Sequence, residues 1–116
     1  GKIINISWMD SVIGVPHFTA YCASKGAVSQ LTRALAAELA RYNIQVNAIC
    51  PGYVRTSMTE DALENEEILK KILSRIPLRR VGEPEEIAWL AVYLASQLSD
   101  YMTGQLVLLD GGQTVI

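Results

Sequence analysis

The chain has 116 residues, half of them hydrophobic, with a mean hydropathy of +0.21. That excludes a disordered chain and suits one domain or part of one, with enough apolar side chain for a buried core. Ten basic against twelve acidic residues give a net charge of −2 and a pI near 5.3, which argues against nucleic acid as the main partner, because phosphate binding calls for a basic face.

Lys2 to Ser7 is a short β-branched run and reads as a buried strand. A loop follows, broken by Gly14 and Pro16. From about Thr19 to Tyr42 the pattern turns helical. Val28, Leu31, Leu35 and Leu39 recur at spacings of three and four, as a core stripe does. A second face carries Ala20, Ala23, Ala27, Ala34 and Ala37, small enough for close approach of another helix or of the sheet.

Ile44 to Ile49 reads as a second strand, ended by Pro51-Gly52. Residues 59 to 76 read as one or two helices with an acidic start and a basic end, the polarity a helix dipole favours. Pro77 stops them. Pro84 opens a further helix, with Ile87, Leu90, Ala91, Leu94 and Leu98 as its apolar stripe and Trp89 on its flank, in the core or at an interface. Gln105 to Asp110 is a third strand, closed by Gly111-Gly112.

Strands alternating with helices predict βαβ units and a parallel sheet, an α/β architecture. Three strands fall below the usual four to six, so one sheet edge is expected to lack neighbours and the chain to form part of a doubly wound domain. No apolar run approaches the ~20 residues of a membrane span, and the first residues lack the layout of a secretory signal. Cys22 and Cys50 allow either one disulfide or two reduced thiols in a cytosolic protein, and a cytoplasmic location is expected. His17 is the only histidine, too isolated to build a metal site with distant cysteines, so no metal is expected.

In an open parallel sheet, ligands bind at the carboxyl ends of the strands. Ser7-Trp8, the approach to Tyr21, and the loop from Pro51 to Thr56 all fall there. Tyr21 and Lys25, at i and i+4, share a helix face. They are either an ordinary surface pair or a phenol whose pKa an ammonium lowers, fit for acid/base work near neutral pH.

Taken in order, I-I-N-I-S, Y-C-A-S-K-G-A-V, N-A-I-C-P-G-Y-V-R-T, R-V-G-E-P-E-E-I-A and T-G-Q with a final D-G-G resemble the second half of the short-chain dehydrogenase/reductase family. The resemblance covers essentially the whole chain, residues 1–116, as one partial Rossmann-like catalytic domain. It implies an NAD(P)-dependent oxidoreductase acting on an alcohol or carbonyl substrate, either a sugar, a polyol or a 3-oxoacyl thioester. Tyr21 would be the acid/base. Lys25 would lower its pKa and bind the nicotinamide ribose. Pro51, Gly52, Val54 and Thr56 would hold the nicotinamide end of NAD or NADP, with Thr56 and the Val54 backbone meeting the carboxamide. Residues 57–80 would form a lid over the substrate. The alanine face of the long helix would pack against its copy in a homo-dimer or tetramer.

Two departures stand out. The family's substrate-orienting serine lies thirteen residues before the tyrosine, where this chain has Trp8; Ser7 is its neighbour and points to the other face of the strand. The eight glycines cannot form a glycine-rich phosphate turn, so the pyrophosphate site is expected to be missing, with the residue that selects NAD or NADP. The expectation is therefore an impaired oxidoreductase, or else a truncated, non-catalytic half-domain that self-associates through an exposed strand edge.

Overall fold

The computed structural model describes residues 1–116. Strand β1 spans Lys2–Ile6, β2 Gln45–Pro51 and β3 Leu106–Leu109. Helix α1 runs Thr19–Leu39, α2 Glu60–Glu64, α3 Glu66–Ser74 and α4 Pro84–Ala95. The sheet is parallel throughout, in the order β1-β2-β3. The α/β architecture expected from the alternation of strands and helices is the one observed.

β2 is the centre of the molecule, and every residue of it is buried. Side chains of β1 divide between two layers. Asn5 Nδ2 donates to Thr32 Oγ1 of α1 at 2.9 Å, whereas Lys2, of opposite parity, bonds Asp100 just after α4 at 2.7 Å. The two helices therefore cover opposite faces of the sheet. Because the strands advance in one direction, the two crossovers have opposite hands, although right-handed crossovers prevail by far.

The buried side of α1 is rotated from the expected stripe. Leu31 is 52% exposed, and the fully buried positions are Ser29, Thr32 and Ala36. The cause lies under the helix: Asn5 of β1 and Ser7 just beyond it call for hydroxyl partners rather than leucines. The five alanines face outward. Trp89, expected in the core or at an interface, is 69% exposed and is no part of this chain's core. Ile3 and Ile6 are exposed along β1, the sheet's open edge.

The segment from 59 to 76 divides into two helices at Asn65. Its Oδ1 accepts from the backbone N–H groups of Glu67 and Ile68 at 3.0 and 3.2 Å and caps α3. Glu83 and Glu86 form a reciprocal capping box at the start of α4, with Pro84 in its first turn. No helix is long and apolar enough to cross a membrane.

Candidate active site

The carboxyl ends of β1 and β2, with the start of α1, surround a cleft of about 640 Å³. Trp8 and Asp10 enter it from the turn after β1, Tyr21 from the first turn of α1, and Tyr53 from the loop after β2. Ser74 and Arg75 reach it from the end of α3, and Gln113 from beyond β3. His17 is exposed, at a positive φ of 71°, and is absent from the lining.

Tyr21 and Lys25 share a helix face as their spacing predicts, but the cation is not at the phenol oxygen. Lys25 Nζ sits over the ring, 5.7 Å from its centroid. The expected lowering of the Tyr21 pKa is therefore not found. Burial pushes the hydroxyl above its ordinary value, and the Asp10 carboxylate pushes it further the same way. Both cysteines are free thiols; Cys50 is buried, and burial raises its pKa against hydrogen bonds involving Ser11 and Ser7.

Ser7 does not stand in for a hydroxyl at position 8. Its Oγ turns under α1, donating to the Lys25 carbonyl at 3.2 Å and lying 3.5 Å from Ser29 Oγ. Trp8 fills the cleft side instead. Its half-buried indole meets the Tyr53 ring edge-to-face, with centroids 5.9 Å apart at 88°.

The loop after β2 is held low. A Cβ on Gly52 would lie 2.9 Å from the Asp110 Cα, so only glycine lets the two strand ends approach this closely. Val54 forms an isolated parallel bridge with Gly82, tying the loop to the entry of α4. Its carbonyl accepts from Thr59 Oγ1 at 2.8 Å. The Thr56 hydroxyl shares a hydrogen bond with the Thr59 hydroxyl at 3.2 Å. Of the loop from Pro51 to Thr56 only Tyr53 lines the cleft; Pro51 and Gly52 are buried, and Val54 borders a second, smaller cavity with Gly82 and Asp110.

Sequence reasoning missed Asp10 and Gln113, and gave Tyr53 no role although it placed the loop that carries it. The only early signal was a lone acidic residue two positions past Trp8, in an otherwise apolar loop. Asp10 is buried, and burial raises its pKa while the Trp8 indole N–H works against that rise.

Comparison with known proteins bears on this arrangement. Residues 1–114 match a family model described as enoyl-(acyl carrier protein) reductase. The 5-keto-D-gluconate 5-reductase of Escherichia coli is 48% identical over 115 residues, which are 99% of this chain and 45% of that protein. A 4-hydroxyisoleucine dehydrogenase complexed with NADH superposes with a TM-score of 0.97 at 36% identity, covering 100% of this chain and 48% of that one. A gluconate 5-dehydrogenase from Burkholderia cenocepacia, in complex with NADP and tartrate, gives 0.93 at 38% identity, covering 100% and 46%. The chain spans about half the length of the curated relatives it matches. With its parallel sheet, its tyrosine and lysine one helical turn apart, and its Pro-Gly turn after β2, the chain belongs to the short-chain dehydrogenase/reductase family of oxidoreductases.

Proposed function

We propose that this chain supplies the substrate-side half of an NAD(P)-dependent oxidoreductase that interconverts an alcohol and a carbonyl compound. The observation that carries this reading is Tyr21, which lines a cleft at the carboxyl end of a parallel sheet with the Lys25 ammonium over its ring. Solved relatives hold NADH or NADP, so a nicotinamide cofactor is the matching group.

The residues fit its nicotinamide end. Lys25 has no carboxylate partner among the chain's ion pairs, which leaves its ammonium free for a ribose hydroxyl. The bound cofactor supplies or accepts the hydride. Tyr21 Oη carries the proton that the substrate oxygen gains or loses. Lys25, whose ammonium lies over the Tyr21 ring, binds the ribose. The Val54 backbone and Thr56 hold the carboxamide once the Thr59 hydroxyl turns aside. Helices α2 and α3, within residues 57–80, serve as the lid, which brings Arg75 to the cleft.

Turnover is proposed to be impaired, because an indole replaces a hydroxyl donor at position 8. Removing one such donor typically costs about 10²–10³ in rate. Two free thiols suit a reducing cytoplasm.

The test is a titration with NADH and then NADPH, read by Trp8 fluorescence in a Trp89→Phe background. Saturable quenching, weakened in Lys25→Ala, is the expected result. An unchanged signal from a chain with a folded circular dichroism spectrum overturns it.

The second reading, a non-catalytic half-domain that self-associates as a dimer or tetramer, rests on the outward alanine face of α1 and the bare β1 edge.

A further inference from the structure

Three residues other than glycine take a positive φ: His17, Asn43 and Arg79. Asn43 closes the turn after α1, a place that suits asparagine. Arg79, at φ 57°, is different. Glycine is the ordinary occupant of that backbone region, and a long side chain stays there only when its surroundings hold it.

What holds it is the end of α3. Arg79 Nη1 donates to the Ser74 carbonyl at 2.8 Å and to the Leu73 carbonyl at 3.1 Å. The last carbonyls of a helix lack intrahelical donors, and that end of the dipole favours a cation. Arg79 enters none of the chain's ion pairs. Ser74 and Arg75 are the residues by which this end of the lid reaches the cleft. The Ser74 hydroxyl is tied to the Lys71 carbonyl at 2.6 Å, and Arg79 fixes the Ser74 carbonyl, the peptide that leads into Arg75.

The segment between α3 and Arg79 is seated on the turn after β3. Ile76 is buried against Gly111, where a Cβ would come within 2.7 Å of its Cγ2, and Pro77 packs on Gly112. The Leu78 N–H donates to the Gly111 carbonyl at 3.1 Å. Residues 76–78 are thus a root and α3 an arm that leaves it. No residue of the arm is fully buried, so its place depends on the root and on what grips its end.

We propose that Arg79 is a positioning residue, whose guanidinium clips the end of α3 and so sets where Ser74 and Arg75 stand over the cleft. This rests on the reading of α2 and α3 as the lid of that cleft. Arg79 itself touches neither substrate nor cofactor.

The backbone separates this role from a contribution to overall stability. Arg79→Gly removes the clip and relieves the left-handed strain, whereas Arg79→Ala removes the clip and keeps the strain. Amide hydrogen exchange in α3 is compared with that in β2, the central strand. Both variants are expected to exchange about fivefold faster in α3, the loss of a hydrogen bond made by a charged donor. Exchange in β2 should stay unchanged in both, or slow in Arg79→Gly. Arg79→Lys, which keeps a cation at the helix end, should retain most of the protection in α3. Trp8 becomes the sole tryptophan in Trp89→Phe, and in that background both clip-removing variants should open it to acrylamide quenching. Unchanged exchange in α3, exchange in α3 and β2 rising together, or unchanged Trp8 quenching beside a loosened α3 overturns the proposal. None of these readouts uses a nicotinamide. Failure of the clip leaves the oxidoreductase reading standing, and a failed NADH titration leaves the clip standing.

Discussion

Asp10 bears on the stability of the fold as well as on the cleft. Its folded pKa lies above the ordinary value of 3.8, because burial penalises its charge. The folded state therefore holds the Asp10 proton more tightly than the unfolded one. That contribution is complete below pH 3.8 and is lost as the pH rises through the folded pKa, beyond which the buried charge opposes folding. Asp10→Asn should stabilise the chain at pH 7 by about 1 kcal/mol, with the difference vanishing towards pH 3. Thermal unfolding at a series of pH values checks this, and a constant difference would refute it. Trp8 is a residue on which function turns. When the cofactor-binding half is supplied as a separate fragment, Trp8→Ser should raise turnover by about 10²-fold. Equal rates for both chains in a nicotinamide absorbance assay would show that the indole is no obstacle. The place of Tyr21 at a cleft beyond the strand ends was legible in the sequence, because it follows a strand and a Gly/Pro loop, and Lys25 at i+4 shares its helix face. Asp10 and Gln113 were not, because they lie far apart in the chain and come to one cleft only in the fold.

Among the elements, strands and helix starts were legible and helix faces less so. Breakers such as Pro51-Gly52 and Pro84 act locally, and the structure honours them. The face of α1 depends on what lies beneath it, and the polar Asn5 and Ser7 turn Ser29 and Thr32 inward in place of Leu31. The start of α4 shows local chemistry at its strongest. The Glu86 carboxyl is lowered from 4.5 to about 2, first by the Arg80 side chain and then by the Glu83 backbone N–H. Its support for the cap is present above pH 4.5 and fades as the pH falls towards 2. The meeting of the β2 and β3 ends is equally specific. Gly52→Ala should destabilise by roughly 1–3 kcal/mol, because the added carbon meets backbone that cannot step aside. An unchanged denaturation midpoint would contradict that packing.

The molecule as a whole leaves much of its apolar surface open. Only 20 of 116 residues are buried, and Ile3, Ile6, Trp89 and Val92 face outward, which is more than an isolated soluble domain tolerates comfortably. Sedimentation at micromolar concentration should show a dimer or larger species, and a monodisperse monomer would refute self-association. The parallel register carries a further consequence for how the chain reaches this state. Each residue of β1 pairs with one more than forty positions away, and Ala48 to Pro51 of β2 with residues still further along. No hairpin exists to nucleate the sheet, so the loops must close before any ladder forms. The central strand must wait for both its neighbours. While it waits, its apolar side chains lie open to other copies of the chain, so successful refolding becomes a contest between loop closure and collision, which dilution favours.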